Sequence, residues 1–225
     1  ATKAERALAK GQVSRAVHYF EKAVAKRPTA PLLRSLGLAY LENQEPTKAL
    51  AALQRSFAMT PSRTTLYYVG CAYQGLKLHD VALGVFEQVQ SAHLSEQVMP
   101  EDALLYAPLA SAKIGECYSK KGQHARAVAH LKQVTARYPW SAQGFFYLGI
   151  AQWDGGSPDL GVEQFHKVIE LSPKEASAYY NVACYYSIKG ASNLALHWLD
   201  RALKVGFDNY THMETDHDLD NIRDL

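Results

Sequence analysis

Val69-Gly70-Cys71-Ala72-Tyr73 is the stretch on which the fold turns, because its outline returns along the chain. A small residue is followed three positions later by a residue that is usually Tyr. The copies are Leu36-Gly37…Tyr40, Val69-Gly70…Tyr73, Ile114-Gly115…Tyr118, Leu148-Gly149…Gln152 and Val182-Ala183…Tyr186. The small residues stand 33, 45, 34 and 34 positions apart. A period near 34 is the mark of helix–turn–helix units that stack side by side.

The second half of each unit repeats as well. Twelve positions after each small residue comes another, at Ala49, Ala82, Ala127, Gly161 and Ala195. Four further on stands a large apolar residue: Leu53, Phe86, Leu131, Phe165 and Leu199. Pro61, Pro139 and Pro173 close several units, and an earlier copy keeps only this second half, in Gly11, Ala16, Phe20, Ala23 and Pro28. Small residues belong where two paired helices approach closely, and large ones fill the space between them. A Pro after the second helix donates no amide hydrogen and pushes its predecessor out of the helical region. Gly11, Gly122, Gly156 and Gly190 fall in the turns between paired helices, where a left-handed residue is often needed.

These residues resemble the tetratricopeptide repeat, and the resemblance covers essentially the whole chain. It implies an all-α, right-handed superhelical solenoid of about six helix–turn–helix units. The expected units are approximately 1–29, 30–62, 63–96, 97–141, 142–175 and 176–209, followed by a capping segment at 210–225, all within one solenoid.

Composition narrows the function. The chain has 225 residues, 48% of them apolar and 20% charged, with a formal net charge of +2. Nucleic-acid binders usually concentrate Lys and Arg on one face, so no nucleic-acid partner is expected. No apolar run reaches the roughly 18–20 residues of a membrane span, and no signal peptide is expected in these residues. Ala1 is not Met and the first unit starts mid-helix, so a trimmed or processed chain is expected. Its expected place is the cytoplasm of a bacterium, or the periplasm or a membrane if a leader or anchor was removed. Cys71, Cys117 and Cys184 each fall on a first helix without metal-type spacing, and read as small buried hydrophobes.

Two departures from the period are informative. The 45-residue gap exceeds one period by about eleven residues, and the surplus lies near Ser95 to Ala107. Pro100-Glu101-Asp102 reads as a helix start, since Pro tolerates the first position and acids suit the positive end of the dipole. The fourth unit is therefore expected to extend its first helix backwards by about two turns, with a kink near Pro108. At the other end, Gly206-Phe207 and Asp216-His217-Asp218-Leu219-Asp220 resemble the terminal unit of many bacterial tetratricopeptide proteins. That resemblance implies a segment covering the last stacking face, which would otherwise be exposed.

Asp216, Asp218 and Asp220 have the alternation of a calcium loop, but Asn221 replaces the required Gly, so a helix N-cap is the reading. His212, Glu214 and His217 are not aimed together by any predicted element, and no metal or cofactor is expected. His79, His124, His166 and His197 fall at exposed-looking places in or near second helices. No nucleophile–base logic or phosphate loop is visible, and no catalytic residue is assigned.

Repeat solenoids bind on their concave face. Helical spacing from the small residue traces one face of each first helix. The peptide-binding candidates are Arg34, Leu38, Tyr67, Cys71, Gln74, Lys113, Glu116, Phe146, Ile150, Trp153, Tyr180 and Cys184. Tyr68, Tyr147 and Asn181 flank them, and Tyr and Trp favour binding because they offer large area at low entropic cost. Some relatives clamp a terminal carboxylate with Lys and Asn on successive first helices. Arg34, Tyr67, Phe146 and Tyr180 stand where Lys would be needed, and only Asn181 matches a clamp position, so the clamp is absent. The expected function is a non-catalytic scaffold for a protein or peptide partner. The alternatives are self-association through the half-unit at its start, or assembly of an envelope, pilus or secretion machine.

Overall fold

In the computed structural model the protein is described at residues 2–91 and 100–225, and at residues 100–104 by its backbone alone. The regular structure among the described residues is all helical, with no strand. The helices are α1 (Lys3–Leu8), α2 (Val13–Lys26), α3 (Ala30–Glu42), α4 (Pro46–Met59), α5 (Arg63–Gly75), α6 (His79–Ser91), α7 (Pro100–Lys120), α8 (His124–Arg137), α9 (Ala142–Asp154), α10 (Pro158–Leu171), α11 (Ala176–Ile188), α12 (Ser192–Val205) and α13 (Tyr210–Thr215). A 3-10 helix, His217–Ile222, follows. Contacts divide the chain into two compact units, Ala1–Cys117 and Tyr118–Leu225.

Local chemistry explains the boundaries. Three first helices open on hydroxyl caps: Thr29 accepts from the Leu32 amide, Ser62 from Thr65 and Ser141 from Gly144. Each cap satisfies an amide that the helix itself cannot. Pro46 and Pro158 open second helices, where the missing amide hydrogen is not needed. The turns between paired helices pass through a left-handed residue, Gly11, Gly122, Gly156 or Gly190, but in two turns Gln44 and Lys77 take that conformation at φ 58° and 60°. The sequence marks only the glycine turns, because a left-handed Gln or Lys leaves no compositional trace.

Within the N-terminal unit each helix packs on the next from α1 to α6, and α3 also touches α5. The close approach predicted for the small residues is real. A Cβ built on Gly37 would lie 2.5 Å from Leu53 Cγ, and one on Gly70 would lie 2.6 Å from Phe86 Cε1. Leu53 and Phe86 are fully buried, and each contributes about 1.5–3 kcal/mol by leaving water. α7 is described from Pro100, and its 21 residues exceed the 13 of α3 or α5. It continues through Pro108. The part of the expected insertion before Pro100 lies outside the described residues.

The C-terminal unit repeats the scheme from α8 to α12, each helix again packing on the next. Gly149 meets Phe165 as Gly70 meets Phe86, with a Cβ-to-ring distance of 2.7 Å. After α12 the chain turns at Gly206 (φ 112°), and the 3-10 helix folds back on α11 and α12. Its Leu219 and Ile222 are buried against Tyr179, Tyr180 and Cys184. Asn221 donates to the Ser187 carbonyl, and Arg223 donates to the carbonyls of Glu214 and Asp216. Asp216 accepts from the Asp218 amide at 3.0 Å, the N-cap geometry expected of this acidic run.

Candidate protein-interaction surface

On the N-terminal unit, α3, α5 and α7 present a half-buried face. Arg34 and Leu38 lie on α3, Tyr68, Cys71 and Gln74 on α5, and Lys113 and Glu116 on α7. The polar members are held in place. Lys113 Nζ is 2.8 Å from Glu116 Oε2, and Gln74 Nε2 donates to the same oxygen at 3.2 Å. The Lys113 and Glu116 side chains are only 17% and 19% exposed, so salt screens them less than it does a free surface pair. Beside them Tyr106, from the extended start of α7, packs against Tyr67 and Tyr68 at ring distances of 5.3 and 6.2 Å. Burial and a hydrogen bond with Tyr106 push the Tyr68 phenol up to about 12. Burial pushes the Cys71 and Cys117 thiols up to about 11, which keeps them neutral and poorly nucleophilic near pH 7.

Three candidates need correction. Tyr67, Tyr180 and Cys184 are buried, at 6%, 3% and 2% exposure, and offer almost no contact area to a partner. Tyr67 is enclosed by Phe86, Tyr68 and Tyr106. Tyr180 stacks flat on Phe207, with centroids 4.2 Å apart, and donates its hydroxyl to Asp216 Oδ2 at 2.6 Å. Two positions before the small residue, Tyr68 and Lys113 on the N-terminal unit and Tyr147 and Asn181 on the C-terminal unit are half-buried. The sequence held these residues as flanks, but it could not show which aromatic a later element covers.

On the C-terminal unit, Phe146, Ile150 and Trp153 of α9 are half-buried. Trp153 lies edge-on to Tyr185 at 6.3 Å and also touches Phe165. Tyr185 donates to Asp159 Oδ1 at 2.7 Å, and Lys189 pairs with the same carboxylate at 2.8 Å. The Asn181 amide donates to the Ser177 carbonyl, within its own helix.

Cys184 Sγ and one carboxylate oxygen each from Asp216 and Asp218 gather within 4.8 Å, a grouping that their separation in sequence hides. Burial and the two carboxylates push the Cys184 thiol far up. The Tyr180 hydroxyl, the Asp218 amide and the Cys184 thiol all point at Asp216, so this carboxylate serves as the acceptor that fastens the last segment to α11. Two histidines also differ from expectation. The Nδ1 atoms of His79 and His124 are buried.

Sequence profiles of the tetratricopeptide repeat match residues 2–63 and 112–140. The protein bimA of Emericella nidulans is 24% identical over 204 residues, which is 90% of this chain and 24% of bimA. The chain spans about a quarter of the length of the curated relatives it matches. Among solved structures, a chain of the APC/C hetero-tetramer Cut9–Hcn1 superposes with a TM-score of 0.64 at 18% identity, over 89% of this chain and 38% of that one. A putative kinesin light chain of Podosopora anserina with nearly identical TPR-like repeats superposes with a TM-score of 0.56 at 21% identity, over 76% and 92% of the two chains. Both structural likenesses are of fold. The recurring small–Tyr and small–large positions, the paired helices they build and the matching repeat profiles make this chain a tetratricopeptide-repeat protein.

Proposed function

We propose that the chain is a non-catalytic scaffold, and that the α3–α5–α7 face of its N-terminal unit holds an extended or helical segment of a protein partner. One observation carries the reading. Arg34, Leu38, Tyr68, Cys71, Gln74, Lys113 and Glu116 form a half-buried face in which Lys113, Glu116 and Gln74 are already fixed by their mutual hydrogen bonds. Contacts that are rigid before binding leave only the partner to lose conformational freedom. Arg34, Lys113 and Glu116 would set its register, and Leu38 and Tyr68 would supply apolar area.

The test uses peptides selected by display against the native protein. Their affinities are then measured for the double variant Lys113→Glu/Glu116→Lys. The swap keeps the ion pair and inverts the charge pattern of the face. Circular dichroism and a urea midpoint verify that the variant is folded. Selected peptides should bind it at least about tenfold more weakly, which is about 1.4 kcal/mol. Equal affinity for a folded variant would reject this face as the binding surface.

A further inference from the structure

At two junctions between successive repeats, a tyrosine closes the space between a first helix and the second helix of the preceding repeat. Tyr40 of α3 donates its hydroxyl to Glu21 of α2 at 2.6 Å. Tyr73 of α5 accepts from Gln54 Nε2 of α4 at 3.3 Å. Glu21 and Gln54 occupy one repeat position, five residues after the small residues Ala16 and Ala49. In α8 the same position, counted from Ala127, is Lys132. Opposite it on α9, where the pattern calls for tyrosine, stands Gln152.

The consequence is visible in the packing. A cavity of about 560 Å³ opens between α8 and the α9–α10 pair, lined by His124, Val128, Lys132, Ala151, Gln152 and Leu160. Gln152 is only 5% exposed, and its Oε1 has no hydrogen-bond partner.

We propose that this cavity is a docking pocket for a tyrosine side chain of a protein partner, which supplies in trans the ring that the fourth full repeat lacks. Val128, Ala151 and Leu160 offer apolar walls for the ring. A phenol hydroxyl both donates and accepts. It can accept from Lys132 Nζ, as Tyr73 accepts from Gln54 Nε2. Phenylalanine offers Lys132 no acceptor and forgoes that charge-assisted hydrogen bond. The proposal rests on the reading that the chain binds proteins, but it concerns a different face from α3–α5–α7.

The test titrates N-acetyl-tyrosinamide into the full chain and follows amide and methyl resonances near Gln152. N-acetyl-phenylalaninamide and free tyrosine serve as comparators. The expected result is saturable shifts confined to α8, α9 and the start of α10, with the tyrosine amide bound about tenfold more tightly than the phenylalanine amide. Gln152→Tyr should fill the pocket, abolish the shifts and raise the urea midpoint, while Lys132→Ala should weaken binding without unfolding the chain. Absence of shifts, equal binding of the two amides, or a Gln152→Tyr variant that is less stable than the parent would overturn the proposal. Tighter binding of free tyrosine than of its blocked amide would also overturn it, since the occupant would then be a small metabolite. The Lys113→Glu/Glu116→Lys variant should bind the tyrosine amide as the parent does, so failure of the other face would not be mistaken for failure of this pocket.

Discussion

Replacing Gly70 and Gly84 by alanine, one at a time, should move stability in opposite directions. Both are glycines inside helices, and in an open helix Gly→Ala gains about 1 kcal/mol. Gly84 of α6 has nothing within 4 Å of the position its Cβ would take, so Gly84→Ala should show that gain. On Gly70 the new Cβ would lie 2.6, 2.8 and 2.9 Å from three atoms of the Phe86 ring. Carbon atoms pack at about 3.5–4.0 Å, so the ring must retreat by most of an ångström. Phe86 is fully buried and has nowhere to go. Overpacking of this kind costs about 1–3 kcal/mol, and the upper half of that range outweighs the helix gain. Gly70→Ala should therefore lose about 1–2 kcal/mol net. Urea unfolding followed by circular dichroism reads both variants. A second-site Phe86→Leu change should recover part of the Gly70→Ala loss, with a coupling energy of at least about 1 kcal/mol. A Gly70→Ala protein as stable as the parent would refute the idea that the period records a steric contact between paired helices.

Three further outcomes follow from the geometry. Asp216→Ala removes an N-cap and leaves the Tyr180 hydroxyl without its acceptor, so it should destabilise by about 2–3 kcal/mol and speed proteolysis between α12 and the 3-10 helix; Tyr180→Phe should soften the loss. Raising the pH should weaken the fold. Cys71 and Cys117 are pushed up to about 11 by burial, whereas unfolded thiols ionise near 8.5, so their contribution is complete below about pH 8.5 and disappears as pH climbs towards 11. A loss of about 1–2 kcal/mol per thiol should appear in urea midpoints at pH 10, and the slope against pH should be shallower in Cys117→Ala. Lys77→Gly relieves a left-handed lysine at φ 60° and should raise the thermal midpoint, with a gain of up to about 1 kcal/mol.

The paired helices were legible because each unit writes its contact twice, once as Gly37, Gly70 or Gly149 and once as the Leu53, Phe86 or Phe165 that touches it. The candidate surface was legible only as a region. Tyr67 and Tyr68 are adjacent aromatics on one helix, and Tyr106, from a helix whose extension breaks the period, decides which of them is covered. Tyr180 looks like a groove aromatic in sequence, and the groups that enclose it, Phe207 and Asp216, come from a later segment. Helical spacing reports a face, but burial depends on partners that spacing does not contain. The Gln152 exception could have been noticed at once. Its meaning needed the Tyr40–Glu21 and Tyr73–Gln54 contacts to show what the missing ring does.

The bond from Tyr180 to Asp216 bridges 36 residues, and this sets a schedule for synthesis. Most other contacts join helices that are neighbours in the chain, so each pair can dock soon after it leaves the ribosome. Helix α11 cannot be finished in that way. While the chain is still being made past it, an aromatic ring and a thiol destined for the interior stay open to solvent until Phe207 and Asp216 arrive. A ribosome stalled shortly before Asp216 should display a Cys184 thiol that reacts readily with alkylating reagents, and one stalled well after Leu225 should not.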